Sequence, residues 1–135
     1  MATAFAAWTA WAPRFLSLLR LMTGLLLLEF GTMKILHFPY ADYFANVQPF
    51  TLYWFSGLLE LIGGALVTVG LFTRLAAFVL SGEMAFAYFM EHAPNGFYPA
   101  LNEGLPAVLF CFVFLYLSAA GGGAWSLDRA IRRVS

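Results

Sequence analysis

Three carboxylates lie inside runs of sequence that are otherwise apolar. Glu29 falls in LLRLMTGLLLLEFGTMKIL, Glu60 in YWFSGLLELIGGALVTVGLF and Glu83 in LAAFVLSGEMAFAYFM. A charged side chain near the middle of a membrane span costs about 2.5–3.5 kcal/mol on insertion scales, so three in one small chain point to a shared purpose. Carboxylates held at one level repel one another. One is therefore expected to carry a proton near neutral pH, with Lys34 balancing another. Such a pocket suits three jobs: binding a polar headgroup such as a quinone, moving protons, or holding a metal. Carboxylate and histidine sets bind iron, manganese or zinc. Helix-bundle di-iron sites, however, use Glu-x-x-His, and the sequence contains none, so no metal is expected. The purely structural alternative is that the carboxyls hydrogen-bond helices together and fix their register.

The elements that position these groups read as membrane helices. A helix needs about 20 residues to cross roughly 30 Å of hydrocarbon. Four spans are predicted, at about 15–37, 50–72, 74–91 and 103–120. The last two are short, which implies little tilt or local thinning. An aromatic loop, FPYADYFANVQPF, joins spans 1 and 2. HAPNGFYPALN joins spans 3 and 4, with turn formers at Pro94, Asn95 and Gly96. Spans 2 and 3 meet in a tight hairpin at Phe72-Thr73-Arg74. The fold expected is an all-α membrane protein, an antiparallel bundle of four transmembrane helices forming a single domain over 1–135.

Counting along the helices places the carboxylates by depth. Glu29 lies about 12 Å below the outer end of span 1, Glu60 about 15 Å below that of span 2 and Glu83 about 12 Å below that of span 3. Ser56, Glu60, Gly63 and Gly64 share one side of span 2; Ala76, Glu83 and Ala87 share one side of span 3. Small residues let membrane helices approach closely, so these faces are expected to turn inward. Glu29 shares its side with Met22, Thr32 and Met33. Lys34 lies about 140° around the helix from Glu29 and is better placed to reach a carboxylate on a neighbouring helix. Above this level an outer layer is expected from Lys34, His37, Glu91, His92, Asn102 and Glu103. Asn102 reads as an N-cap for span 4, with Glu103 in its first turn.

Composition and charge fit this picture. The 135 residues are 62% hydrophobic and 10% charged, with zero formal net charge, against roughly 25% charged in soluble proteins. Nothing in that balance or in the motifs suggests nucleic-acid binding. The single cysteine, Cys111, can form neither an internal disulfide nor a CxxC pair. Arg14, Arg20, Arg74, Arg129, Arg132 and Arg133 fall on one side of the spans and only Lys34 on the other. By the positive-inside rule both termini are expected in the cytoplasm. The flanks, 1–13 and 124–135, read as interfacial, with Phe5, Trp8, Trp11 and Trp125 as aromatic anchors. No basic residue precedes Arg14 and the apolar run after it is too long for a signal core, so span 1 is expected to be retained. No Gly-rich phosphate loop, nucleophile triad or zinc motif is present.

Several motifs resemble the DoxX family of small bacterial membrane proteins over about residues 14–128. They are Phe30-Gly31-Thr32-Met33-Lys34, then Gly57-Leu-Leu-Glu60-Leu-Ile-Gly63-Gly64 and Gly70-Leu-Phe-Thr73-Arg74-Leu-Ala-Ala. Phe97-Tyr98-Pro99-Ala-Leu-Asn102 and Trp125-Ser126-Leu127-Asp128 follow. The resemblance implies a four-helix bundle in the bacterial cytoplasmic membrane and a link to quinone-dependent oxidoreductase systems. With no redox motif of its own, the chain would serve there as an accessory or small-molecule-binding subunit beside membrane redox partners. A small transporter or proton pathway, or a scaffold for other membrane proteins, are the alternatives. The chain departs from the family pattern at Phe30, where members often carry His. It departs again at Glu103-Gly104-Leu105, where a Gly-Gly-Glu opening is common.

Overall fold

The computed structural model describes residues 2–134, with side chains from 3 to 132; the Arg133 side chain, counted above with the basic flank, lies outside that description. The architecture is helical: α1 (Ala2–Thr9), α2 (Ala12–Ile35), α3 (Leu52–Val69), α4 (Thr73–Ala87), α5 (Leu105–Ala120) and α6 (Leu127–Val134). Among the described residues there is no strand. The stretch Thr3–Ile35, spanning α1 and α2, and the helix Leu52–Val69 are long and apolar enough to cross a membrane. At 15 and 16 residues, α4 and α5 are shorter than the roughly 20 that a perpendicular crossing needs. After α4 the backbone continues through a π-turn at Tyr88–His92 and a 3-10 turn at Ala93–Asn95.

Helices α2 and α3 pack backbone against backbone because glycine removes the Cβ at each contact. A Cβ on Gly24 would lie 2.7 Å from the Thr68 amide nitrogen, one on Gly31 2.5 Å from that of Leu61, and one on Gly64 2.9 Å from that of Leu28. Residue numbers rise on one helix as they fall on the other. A cluster of Leu27, Val67, Ala76, Ala77, Leu80, Met84, Phe114 and Leu117 then joins all four long helices in one core. Between α4 and α5 the Ser81 hydroxyl donates to the Cys111 carbonyl at 2.8 Å.

Two of the helix ends that differ from the sequence expectation bear on the site. Span 1 stops at Ile35, not at 37: His37 adopts a left-handed conformation (φ 55°), and the Phe38 N–H reaches back to the Thr32 carbonyl. Lys34 and His37 therefore do not share a helix face. Helix α5 starts at Leu105, two residues later than expected, with Gly104 at the N-cap position. Asn102 is not the cap; its Oδ1 accepts from the Gly104 N–H at 2.8 Å. Both arrangements satisfy an amide with an Asn oxygen, which is why the two readings of sequence are hard to separate. Glu103 sits outside the helix with φ 63°.

At the opposite end the C-terminal segment is bound back onto the helices. Arg20, only 4% exposed, donates to the carbonyls of Gly122 and Trp125. Ser17 accepts from the Trp125 N–H at 2.8 Å, and the Asp128 N–H donates to the Gly70 carbonyl at 2.8 Å. The Asp128 carboxylate takes the Phe72 and Thr73 amides at 2.8 and 3.0 Å, capping the start of α4. Gly70 has φ 76°, and a Cβ there would meet Ser126 and Arg20 within 2.8 Å. Partial burial pushes the Asp128 carboxyl up. The Thr73 and Phe72 donors and the Arg132 guanidinium together outweigh it and hold the group below its ordinary range.

Two expectations follow. Gly31→Ala forces backbones apart and should destabilise the protein by about 1–3 kcal/mol. Gly82→Ala, where an added Cβ meets nothing within 4 Å, should be neutral or stabilising by up to about 1 kcal/mol; thermal unfolding in detergent measures both. A depressed aspartate contributes stability that is complete above its unfolded value of about 3.9 and is lost as pH falls through the folded value. The melting temperature of Asp128→Asn should thus lie below wild type at pH 6, with the gap closing as pH falls below 4.

Candidate functional site

The centre of the fold holds an ion pair. Lys34 projects from the last turn of α2 and Glu60 from the middle of α3, with Nζ and Oε1 2.9 Å apart and both side chains at most 10% exposed. The pair depends on close approach of the helices: a Cβ on Gly57 would lie 2.6 Å from the Lys34 Cβ. Ser56, one turn before Glu60, extends the network. Its Oγ lies 3.1 Å from Lys34 Nζ, 3.3 Å from Glu60 Oε1 and 2.6 Å from Glu83 Oε1. A hydroxyl has one proton to give. The short contact to Glu83 takes it, and the oxygen accepts from Lys34. Glu83, half-buried on α4, is thereby joined to α2 through α3. The second oxygens, Oε2 of both Glu60 and Glu83, are buried without a hydrogen-bond partner.

Between this network and the loops that follow α2 and α4 lies an open cavity of about 770 Å³, within the range of small-molecule sites. Lys34 and Glu60 form part of its lining. Its walls are apolar and aromatic, with Leu27, Phe30, Phe44, Met84 and Phe110. Phe30 packs edge-on against both Phe44 and Phe110, and Lys34 Nζ sits 5.2 Å from the Phe44 ring centroid. The interhelix loops supply further lining at Tyr43, Gln48 and Thr51, and Glu91, His92 and Glu103 complete it.

The sequence-predicted residues divide accordingly. Lys34, Glu60 and Glu83 come together. Glu91, His92 and Glu103 line the cavity above them, with Glu91 and Glu103 exposed. Glu29 does not join the other two carboxyls: it is exposed on α2. It stands about 200° around the helix from both Leu27 and Gly31, which face the bundle. His37 is exposed beyond the end of α2. Asn102 is 4% exposed and structural, bonding Tyr88, Gly96 and Gly104. Among the described residues no three His, Cys, Asp or Glu side chains converge as a metal site would need. Two contributors went unassigned in the sequence. Sequence reasoning places Ser56 only as a small residue on the Glu60 face, and Tyr53 of α3 interacts with Glu91 in the π-turn that follows α4. An Ser-x-x-x-Glu spacing, one helical turn, was the available signal for the first.

Long apolar helices around a buried, hydrogen-bonded charge network define a small helical membrane protein. The chain belongs to the DoxX family, whose model matches residues 15–93. An uncharacterised protein of Haemophilus influenzae is 41% identical over 122 residues, covering 86% of this chain and 90% of its own length. An uncharacterised membrane protein of Mycobacterium tuberculosis is 25% identical over 138 residues, covering 85% and 80% respectively. No solved structure matches the chain.

Removing one partner of a buried ion pair leaves an uncompensated charge, typically a loss of about 3–5 kcal/mol, whereas replacing both with apolar groups is often neutral. Lys34→Met should therefore destabilise strongly and Lys34→Met/Glu60→Met much less. Unfolding of the two variants in the same detergent gives the comparison.

Proposed function

We propose that this chain is a multi-pass protein of the bacterial cytoplasmic membrane: an antiparallel four-helix bundle and single domain, termini in the cytoplasm, that binds a small molecule in a pocket open to the outer side. The ligand class is a quinone-type headgroup, and the protein serves as an accessory, ligand-binding subunit of a membrane redox system. One observation carries the reading: the aromatic-walled cavity ends on the Lys34–Glu60 pair. Flat rings fit between aromatic walls, and a few convergent polar groups orient a headgroup. The asymmetry of basic residues supports the orientation. The family resemblance supports the redox setting.

A second reading, a small transporter or proton pathway, draws on the two buried, unpartnered carboxyl oxygens of Glu60 and Glu83. Two carboxyls beside one ammonium reach charge balance with one added proton, so the network suits proton exchange.

Binding of a short-chain quinone, offered in both oxidation states to the purified protein in lipid nanodiscs, tests the first reading. Ala87→Trp fills the cavity from α4 and should weaken binding at least about tenfold, or about 1.4 kcal/mol, with the melting temperature kept. If neither oxidation state binds wild type, the quinone reading fails. The transport reading requires flux in liposomes that Glu60→Gln and Glu83→Gln abolish; flux no greater than in empty vesicles removes it.

A further inference from the structure

The face of α2 turned away from α3 carries a repeat that the packing of the bundle does not use. Leu18, Met22, Leu25, Glu29, Thr32 and Leu36 follow one another in alternating steps of four and three. That is the a/d pattern of a coiled-coil seam, two positions in every seven. The four apolar members are between 42% and 63% exposed, Glu29 is exposed and Thr32 is half-buried. The inward side of α2 runs instead through Gly24, Leu27 and Gly31. Apolar exposure alone says little on a helix that crosses a membrane, where lipid covers it. Glu29 is what lipid covers poorly. It lies six residues before the end of α2 at Ile35, about 9 Å along the axis. Among the described residues its carboxyl has no hydrogen-bond or salt-bridge partner; the Thr32 hydroxyl donates to the Glu29 backbone carbonyl, not to the carboxyl. An ionisable group at membrane depth ordinarily faces another polar group.

We infer that a second copy of this chain docks on the seam. The two α2 helices run parallel about a two-fold axis along the membrane normal, and the two Glu29 carboxyls meet across it. Copies of one membrane protein share one orientation and one depth, so each seam residue faces its own counterpart. A different protein would have to supply a polar group at the same level. Carboxyls brought together in this way bind through a shared proton. The apolar layers above and below it are those that a left-handed pair of membrane helices interdigitates, crossing at about 20°. In parallel coiled coils a lone polar residue at an a position fixes register and the number of partners, and two-fold pairing is the commonest symmetry of oligomers. None of the six seam residues lines the cavity, so dimerisation and ligand binding stand or fall separately.

Cysteine cross-linking of the full-length protein in the membranes of its expression host, in a Cys111→Ala background, locates the contact. Met22→Cys and Leu25→Cys should each give a disulfide-linked dimer. Phe78→Cys on α4, where the native side chain is 63% exposed, should not. Energy transfer between labelled copies in liposomes, followed as lipid is added, then measures the strength of the dimer. Glu29→Leu keeps the seam apolar and removes the polar contact, and should weaken dimerisation at least about fivefold. Glu29→Gln, whose amide both donates and accepts, should retain it. A chain that stays monomeric at every lipid ratio overturns the inference. So does cross-linking at Phe78→Cys in place of the seam, or a dimer equally tight in Glu29→Leu. The cross-linking variants keep Glu29 and replace exposed side chains, so they decide where the copies meet even if Glu29→Leu does not fold.

Discussion

A charge placed in an apolar interior must be met by an opposite charge within hydrogen-bonding reach, and here that requirement falls on Lys34 and Glu60. Neither side chain can leave without stranding the other. The 2.9 Å contact therefore fixes the rotation of α2 and α3 about their own axes and their relative shift along them. Ser56 passes the constraint onward to Glu83, so a third helix is placed by the same network.

The ion pair is possible only because the helices touch without side chains between them. Gly24, Gly31, Gly57 and Gly64 each stand where a Cβ would collide with the opposing helix. Close packing and short polar contacts are thus two aspects of one interface, as expected where hydrophobic burial contributes little to association between membrane helices. At the other end of the molecule a different device does similar work. Arg20 on α2 holds carbonyls of the returning C-terminal segment, and Asp128 on that segment holds the amides at the start of α4.

Much of this was open to counting. Alternating apolar runs and turn formers delimit the helices, and distance from the helix ends places Glu60 and Glu83 near one level. Glu29 shows the limit. Its surroundings, LLLLEF, are apolar on every side, so periodicity cannot say which face turns inward, and exposure on α2 emerges only once Gly24 and Gly31 are seen against α3. Arg20 and Asp128 read as flanking charges because their partners, Gly122, Trp125, Phe72 and Thr73, are remote in sequence or offer only backbone atoms. Backbone groups carry no signature that a sequence can show. The same holds at Asn102, where cap and turn draw on the same chemistry.

The two interfaces of α3 differ in stiffness. Against α2, the atoms that an added Cβ would strike at Gly31 and Gly64 include main-chain atoms, which cannot rotate out of the way. Against α4, the atoms facing Gly63 belong to the Leu80 side chain, which can change rotamer. The compliant seam of the molecule accordingly runs between α3 and α4. It is bridged there by the single proton that Ser56 gives to Glu83. Of the two interfaces of α3 this one yields first, and its opening stretches a hydrogen bond before it disturbs an ion pair.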